Sequence, residues 1–416
     1  MNSDPALQTV QCRPARLAQC RKFHLVTVAA CVMLLGGLRA YAQLSTEDHV
    51  AEPGFWPTRG QDSTAVFAGK DSCAKCHGNI SRSANQTSMG LTATHADQSP
   101  LLRQYKHLSF DYGHDTFRVD TPATPSGSLS NYQVTDGKET LSAPLQWVFG
   151  TGRVGQSYLF KKPDGNFYEA RVTFYQSLKN IGFTPARELA ETADLVSAMG
   201  RRVDTPELIR CFSCHATEVN IQGKFNEEGL RGGVTCEACH GPGAAHVASM
   251  TSSGKAPSSS KDLAIFEPSH LSPTESVEFC GACHGNFWDV RLAHVTGPST
   301  VRSAPYRLVT SKCWGKEGDP RLVCTACHDP HKEVNADISS YDAACLRCHS
   351  NSLATHKAEA STRTASSATA STSPACPVAK EKCASCHMPQ VYVPEMKNTF
   401  TDHRIRVVKA GEAFKD

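Results

Sequence analysis

The sequence predicts a mostly α-helical and irregular protein of short helices and loops, with one small β-rich module. Three observations predict it. Seven copies of the pattern Cys-x-x-Cys-His occur, and six of them crowd into residues 211–387. The stretch between the first and second copies lacks the pattern and is rich in aromatic and β-branched residues. The crowded part also has too little polypeptide for a conventional side-chain core.

The seven motifs use fourteen of the nineteen cysteines. The motif cysteines are Cys73, Cys76, Cys211, Cys214, Cys236, Cys239, Cys280, Cys283, Cys324, Cys327, Cys345, Cys348, Cys383 and Cys386. The histidines that close the motifs are His77, His215, His240, His284, His328, His349 and His387.

This spacing is the attachment signature of c-type haem. Thiols three residues apart lie on one side of a helical turn, where they reach two vinyl groups on one porphyrin edge. The following histidine is then the proximal ligand of the iron. Zinc ribbons do not require a histidine at that position, and disulfides require no such spacing. The sequence therefore predicts seven covalent c-type haems, stacked within short helices and loops and supplying buried apolar surface.

The N-terminus predicts export. Residues 1–42 are typical of a signal peptide, with a basic start, an apolar run over 23–38 and small residues at Ala40 and Ala42. The apolar run is shorter than the roughly 20 residues of a membrane span. An uncleaved membrane anchor and a lipoprotein modified at Cys31 are the alternatives. The expected location is the periplasm or the extracellular side of the membrane.

The charge balance excludes some partner classes. Loss of residues 1–42 would remove five of the 43 basic and one of the 40 acidic side chains, which leaves the chain nearly neutral. Nothing in that balance supports a nucleic-acid or anionic-membrane partner. Two non-motif cysteines would remain, Cys313 and Cys376, for which a disulfide and a buried free thiol at Cys313 both stay open.

Motif spacing and composition divide the rest of the chain into three parts. We expect a first haem segment over 43–104, a β-rich module over 105–183 and a hexahaem segment over 184–416.

Smaller features mark local structure within these parts. Residues 163–166 read as a hairpin turn. One helix should begin at Pro185 and another at Thr205-Pro206, the second continuing into Cys211. Segments 251–261 and 358–375 are typical of solvated linkers because they lack apolar residues.

The sixth ligand of each iron decides between electron transfer and substrate binding. Ten histidines lie outside both the motifs and the signal peptide: His49, His95, His107, His114, His246, His270, His294, His331, His356 and His403. They are numerous enough for two imidazoles on every iron.

Local context singles out three of these histidines. His246 follows a Gly-Pro-Gly turn just after the third motif. His331 lies only three residues after His328, too close to reach the opposite face of the same porphyrin, so a neighbouring haem is its expected partner. His403 follows the last motif, and Asp402 beside it is a candidate to orient its imidazole.

Weaker distal candidates are His107, His294 and His356. For the first haem, Met89, His95, His107 and an open position all remain possible.

The runs at 236–246, 327–331 and 386–389, with Asp-His-Arg at 402–404, resemble the multihaem cytochromes related to cytochrome c-554 and hydroxylamine oxidoreductase. The sequence at 149–160 resembles exported members that carry a β module. The resemblance covers roughly residues 70–405. It implies haems in close parallel and perpendicular pairs, mostly with two histidine ligands, and His246, His331 and His403 as distal ligands.

The chain departs from the family at the first haem. The family often has histidine directly after Ser-Met, where this chain has Gly90. The Cys-x-x-Cys-Lys motif of pentahaem nitrite reductase is absent from the sequence.

Two function classes follow. The first is an electron carrier that passes single electrons between redox proteins or from a quinol-oxidising partner, because no acid–base constellation stands out. The second is an oxidoreductase acting on a small nitrogen or sulfur compound at one five-coordinate haem, with the first haem as candidate. In a variant of the first, the β-rich module docks the chain onto a membrane-associated partner.

Overall fold

The computed structural model describes residues 66–122, 129–185, 192–221, 224–252, 265–316, 318–319, 321–349, 376–409 and 411–416. The predicted signal peptide, Cys31, His49, His356 and the linker over 358–375 lie outside these residues, as does most of the linker over 251–261. Within the described ranges, no helix combines the length and apolar character that a membrane span requires.

The dominant element is a nine-stranded antiparallel sheet. Its strands are β1 (Ala93–His95), β2 (His107–Tyr112), β3 (Asp115–Asp120), β4 (Asn131–Thr135), β5 (Thr140–Phe149), β6 (Gly155–Lys161), β7 (Phe167–Tyr175), β8 (Asn180–Phe183) and β9 (Gly200–Val203). Strands β2 to β8 follow one another in chain order, while β1 pairs with β5 and β9 pairs with β7.

Alternating side chains explain why these segments form a half-buried sheet. In β4, Tyr132 and Val134 are buried while Gln133 between them is half-buried. The predicted turn at 163–166 does connect β6 to β7, with Gly165 at φ 79° in the left-handed region.

The sheet curls around a large apolar core. The backbone N–H of Ser109 on β2 donates to Oδ1 of Asn180, the first residue of β8, at 3.1 Å, so the first and last strands of the path approach each other. Phe117, Tyr158 and Phe174 lie fully buried inside this core. A second cluster, around Phe212, packs the sheet against the helix that carries the second motif.

The prediction of a mostly α-helical protein with a small β module is therefore wrong. The sheet is the largest element, and it recruits strands from outside 105–183. His95 of β1 pairs with Trp147, and Gly200 of β9 pairs with Ala170. Strands of three or four residues are too short to show alternation, so their sequences gave no sign of them.

The described helices are short. They are α1 (Lys70–Ala74), α2 (Gly78–Ala84), α3 (Pro100–Gln104), α4 (Leu195–Met199), α5 (Thr205–His215), α6 (Cys236–His240), α7 (Ala244–Ser252), α8 (Pro273–His284), α9 (Phe287–Leu292), α10 (Ala304–Val309), α11 (Asp342–His349) and α12 (Cys383–His387). Short 3-10 helices cover Ala96–Gln98, Pro268–His270, Gly297–Arg302, Cys324–Ala326, Ile338–Tyr341 and Pro394–Met396.

Standard capping signals start the two longest helices. Asp204 accepts the backbone N–H of Glu207 at the start of α5, which runs through Cys211 as predicted. Ser272 and Glu275 form a capping box at the start of α8. The helix expected from Pro185 falls almost wholly outside the described residues.

Three two-stranded pairs complete the described secondary structure. They are β10 (Ala216–Thr217) with β13 (Arg231–Gly232), β11 (Asn220–Ile221) with β12 (Lys224–Phe225), and β14 (Gln390–Val393) with β15 (Asn398–Thr401). The β14–β15 hairpin leads directly to Asp402 and His403.

Candidate haem-binding cavity

One large cavity, of about 3860 Å³, is lined by cysteine and histidine side chains from all seven motifs. Thirteen of the fourteen motif cysteines reach its wall, the exception being Cys211. The volume is several times the roughly 300–1,000 Å³ of a site for one small molecule. The space therefore suits several large apolar groups.

Local helix geometry positions most of the motifs. The helices α5, α6, α8, α11 and α12 each end at a motif histidine. The two thiols of these motifs therefore lie one helical turn apart, and the imidazole follows at the helix end. The fifth motif uses a 3-10 turn instead, and in the first motif His77 caps the start of α2.

Motif thiols meet in pairs across different motifs. The interacting pairs are Cys73 with Cys236, Cys214 with Cys283, Cys280 with Cys324, and Cys345 with Cys383. The first motif is thus next to the third, the second next to the fourth, the fourth next to the fifth, and the sixth next to the seventh. Spatial order does not follow sequence order.

Burial raises the pKa of several motif thiols above the usual value of a cysteine. Burial, together with the neighbouring thiol of Cys236, raises the pKa of Cys73 to about 11. Burial raises the pKa of Cys211 to about 12 and of Cys239 to about 11. Covalent attachment would convert each thiol to a thioether, which does not titrate.

Four of the histidines that line the cavity favour the neutral form. Burial lowers the pKa of His215, His284, His328 and His403. The neutral imidazole is the form that binds a metal.

Backbone carbonyls fix the tautomer of three histidine rings that line the cavity. Nδ1 of His240 lies 3.0 Å from the carbonyl of Phe266, and Nδ1 of His387 lies 3.0 Å from that of Arg406. Nδ1 of His403 lies 3.0 Å from the carbonyl of Thr401. A carbonyl accepts only, so Nδ1 carries the proton and Nε2 keeps its lone pair for an iron.

Two histidine pairs have the separation expected across one iron. The ring centroids of His240 and His331 lie 6.2 Å apart with an interplanar angle of 8°, and those of His328 and His403 lie 6.3 Å apart. An imidazole nitrogen binds a metal ion at about 2.0–2.1 Å, which puts two rings on opposite sides of one ion roughly 6.3 Å apart. Each pair joins a motif histidine to a predicted distal histidine.

The remaining described distal candidates differ in whether they line the cavity. His246 on α7 lines the cavity. His107 and His294, both among the described residues, lie outside the cavity wall. His107 instead forms an exposed pair with Asp120 on the sheet, at 2.9 Å.

Three side chains are candidate ligands of the first haem. Met89 lines the cavity, whereas His95 and His107 do not. His95 stacks on Trp147 with ring centroids 3.8 Å apart, and His107 lies on β2.

Asp402 was expected to orient the imidazole of His403. Its carboxylate forms its side-chain hydrogen bonds with two arginines instead. Its carboxylate is fully buried and accepts from Nε and Nη2 of Arg307, both at 2.8 Å, and from Arg406 at 2.7 Å. Burial acts to raise the pKa of Asp402, but these bonds outweigh it and hold the pKa below its usual value. The ion pair anchors the backbone from which His403 projects.

Two carboxylates that tie motifs together were missed by sequence reasoning. Glu237, inside the third motif, accepts three backbone N–H groups from two other segments. Asp342 on α11 accepts the N–H groups of Lys382 at 2.6 Å and Cys383 at 2.8 Å, which joins the sixth motif to the seventh. Glu237 occupies an x position of the motif, where the attachment chemistry sets no requirement, so no pattern marked it.

Cys313 and Cys376 are both free thiols in the structure, and both line the cavity.

The donor set fits covalent haem. Within the described ranges, no group of three or more His, Cys, Asp or Glu side chains is arranged to hold one metal ion. Haem iron needs only two axial ligands from the protein, because the porphyrin supplies the other four. Paired thiols followed by one imidazole, facing a wide apolar space, meet that requirement.

These features define a protein that binds covalently attached haem, a c-type cytochrome. Residues 172–241, which contain the second and third motifs, match the family model of cytochrome c554 and c-prime. The match covers 70 of the 416 residues and agrees with the sequence resemblance, and it supports the assignment of the chain as a c-type cytochrome.

Among solved structures, the outer cell wall cytochrome OcwA is similar to this chain at 17% identity. The match covers 53% of this chain and 37% of that one, with a TM-score of 0.29. No curated protein matches the sequence.

Proposed function

We propose that this chain is an exported multihaem cytochrome that passes single electrons through seven covalently bound c-type haems. One observation carries the proposal: all seven motif histidines and thirteen of the fourteen motif cysteines line one continuous cavity. Electron tunnelling weakens steeply with distance, so redox groups that share one cavity are suited to conduction. Export fits the predicted signal peptide over 1–42, with the periplasm or the extracellular side as the location.

The contacts between motifs support a specific order of haems. Thiol pairs connect the first motif to the third, the second to the fourth, the fourth to the fifth and the sixth to the seventh. The facing rings of His240 and His331 connect the third motif to the fifth. Arg347 of the sixth motif donates to the carbonyl of Ala326 in the fifth at 2.6 Å. The main path is therefore first, third, fifth, sixth, seventh, with the fourth and second as a branch from the fifth.

The separations of the histidine rings support an assignment of axial ligands. We assign His331 opposite His240 and His403 opposite His328, with His246 as a further distal ligand carried over from the family resemblance. Two imidazoles fill both axial positions of an iron and leave no place for a substrate. When bound, the haems would supply one-electron redox chemistry, while backbone carbonyls orient the rings of His240, His387 and His403 through their Nδ1 atoms.

The first haem supports the alternative function. Met89, one candidate ligand of this haem, lines the cavity, and so does a polar group of Ser88, Arg153 and Glu333. Glu333 accepts from the backbone N–H of Ser88 at 2.5 Å and pairs with Arg153. If that iron is open, acid and base groups stand nearby for an oxidoreductase that acts on a small nitrogen or sulfur compound.

Haem counting and electron paramagnetic resonance test the proposal. Mass spectrometry of the mature protein should show seven haem additions, and the oxidised protein should show low-spin signals from the histidine-ligated haems. His403→Ala and His331→Ala should each convert one haem to a high-spin state that binds carbon monoxide. His107→Ala is the matched control and should change nothing, because His107 lies outside the cavity.

Two outcomes would contradict the proposal. Fewer than seven covalent haems would overturn the multihaem assignment. A high-spin signal in the unmodified protein that shifts on adding nitrite or hydroxylamine would favour the oxidoreductase.

The expected partners are redox proteins or a quinol-oxidising complex. A membrane-associated partner could dock on the curled sheet, which lies beside the second motif through the contact of Phe149 with His215 at 5.1 Å. No nucleic-acid partner is expected.

A further inference from the structure

Glu237 occupies an unusual place for a carboxylate. It lies inside the third motif, between Cys236 and Cys239, and is 2% exposed. A side chain at this position need not contact anything for haem attachment to occur. Its surroundings therefore show what else it does.

The carboxylate connects three separate segments. Oε1 accepts the backbone N–H of Ala68 at 2.6 Å and that of Gly243 at 2.8 Å. Oε2 accepts the N–H of Gly69 at 2.8 Å. The partners in the first segment lie 168 and 169 residues away in sequence, so these bonds are tertiary contacts that local structure does not impose.

Each connected segment leads to a haem ligand or attachment point. Ala68 and Gly69 directly precede α1, which carries Cys73. Gly243 directly precedes α7, which carries His246, and the N–H of Ala244 donates to the carbonyl of Val66 at 3.1 Å. The side chain of Glu237 thus connects the segments that carry the first motif, the third motif and a predicted distal histidine.

The structure assigns Glu237 as the positioning residue that sets the first haem against the third. This inference rests on the proposed function, because it requires both haems to be attached. Glu237 acts through the backbone and does not touch the reacting groups. The thiols of Cys73 and Cys236 meet across this junction, so a small displacement of the first motif changes the separation of the two porphyrins.

Asp342 provides a matched comparison elsewhere in the chain. Its carboxylate joins the sixth motif to the seventh through two backbone N–H groups. The same kind of substitution at the two positions should therefore perturb two different haem pairs.

The experiment compares Glu237→Gln with Asp342→Asn in the full-length protein carrying its haems. A Gln amide offers one oxygen where Glu offers two, so at least one of the three backbone N–H groups loses its acceptor. We expect seven haems in each variant. Signals of two haems should shift in Glu237→Gln, together with a loss of magnetic interaction between them. A different two should shift in Asp342→Asn, and the double variant should show both sets of changes.

The outcomes separate the inference from the proposed function. Fewer than seven haems in the unmodified protein contradicts the proposed function. Seven haems with an unchanged spectrum in Glu237→Gln, or a change in the same signals as Asp342→Asn, overturns the role of Glu237. If Glu237→Gln does not accumulate, Ala68→Pro removes one donor and leaves the third motif intact. It should shift the signals of two haems other than those that shift in Asp342→Asn, and an unchanged spectrum in Ala68→Pro also overturns the inference.

Discussion

The substitution Asp402→Asn should release the segment that holds His403. Asp402 and Arg307 are both fully buried, and the carboxylate accepts two bonds of 2.8 Å from the guanidinium. Asparagine keeps the shape but removes the charge, which leaves Arg307 buried without its counter-ion. Arg307 would retain the carbonyl of Lys415 at 2.7 Å and the ring of Phe414.

The magnitude follows from the burial. Removing one partner of a buried ion pair costs about 3–5 kcal/mol. Each 1.4 kcal/mol changes an equilibrium about tenfold, so the population with this segment detached should rise by roughly two to three and a half orders of magnitude. Detachment withdraws the ring of His403 from that of His328. Under the ligand assignment proposed above, one haem should then become high-spin.

The assay is a denaturant titration followed by the low-spin haem signal, with carbon monoxide binding measured in parallel. Asp402→Asn should lose one low-spin haem at a lower denaturant concentration than the unmodified protein and should bind carbon monoxide at one site. Asp120→Asn is the control, because its pair with His107 is exposed and worth less than about 1 kcal/mol. The same midpoint for Asp402→Asn and the control would refute this reasoning.

Two further predictions concern stability. Phe212→Ala should lower the free energy of unfolding by about 3–5 kcal/mol, because this ring of α5 is fully buried against the sheet. Leu178→Ala should change it little, since Leu178 is 47% exposed. Chemical denaturation measures both, and equal midpoints would contradict the assigned packing. Gly233→Ala should cost at least about 1–3 kcal/mol, because Gly233 has φ 84° and its added Cβ would lie 2.0 Å from the carbonyl of Gly90. Gly78→Ala meets nothing within 4 Å, so its thermal unfolding should match that of the unmodified protein, and a similar loss in both variants would count against the close approach at Gly233.

The haem motifs could be predicted from sequence because haem attachment requires fixed residues at a fixed local spacing. The spacing of Cys236, Cys239 and His240 follows from the geometry of one helical turn, and the structure does end α6 at that histidine. The hairpin before β7 and the helix from Thr205 were likewise predicted, because Gly165 and Pro206 restrict the backbone of their nearest neighbours.

The size of the sheet could not be predicted from sequence in the same way. Strands β1 and β9 exist because longer strands offer them backbone partners, as Trp147 does for His95 and Ala170 for Gly200. The hydrogen bonds that make such a strand are formed with residues far away in sequence. The composition of a segment of three or four residues therefore does not predict these hydrogen bonds.

The sequence by itself determined that this chain is a c-type cytochrome, because covalent attachment demands fixed residues at fixed spacing, and it named His331 and His403 as distal candidates. Only the tertiary structure decided which motifs are neighbours and that His331 faces His240 while His403 faces His328. It also revealed the buried carboxylate of Glu237, whose bonds join segments about 170 residues apart. The physical reason is that attachment is a local reaction within five residues, whereas the placement of one haem against another depends on contacts that form only when distant segments pack.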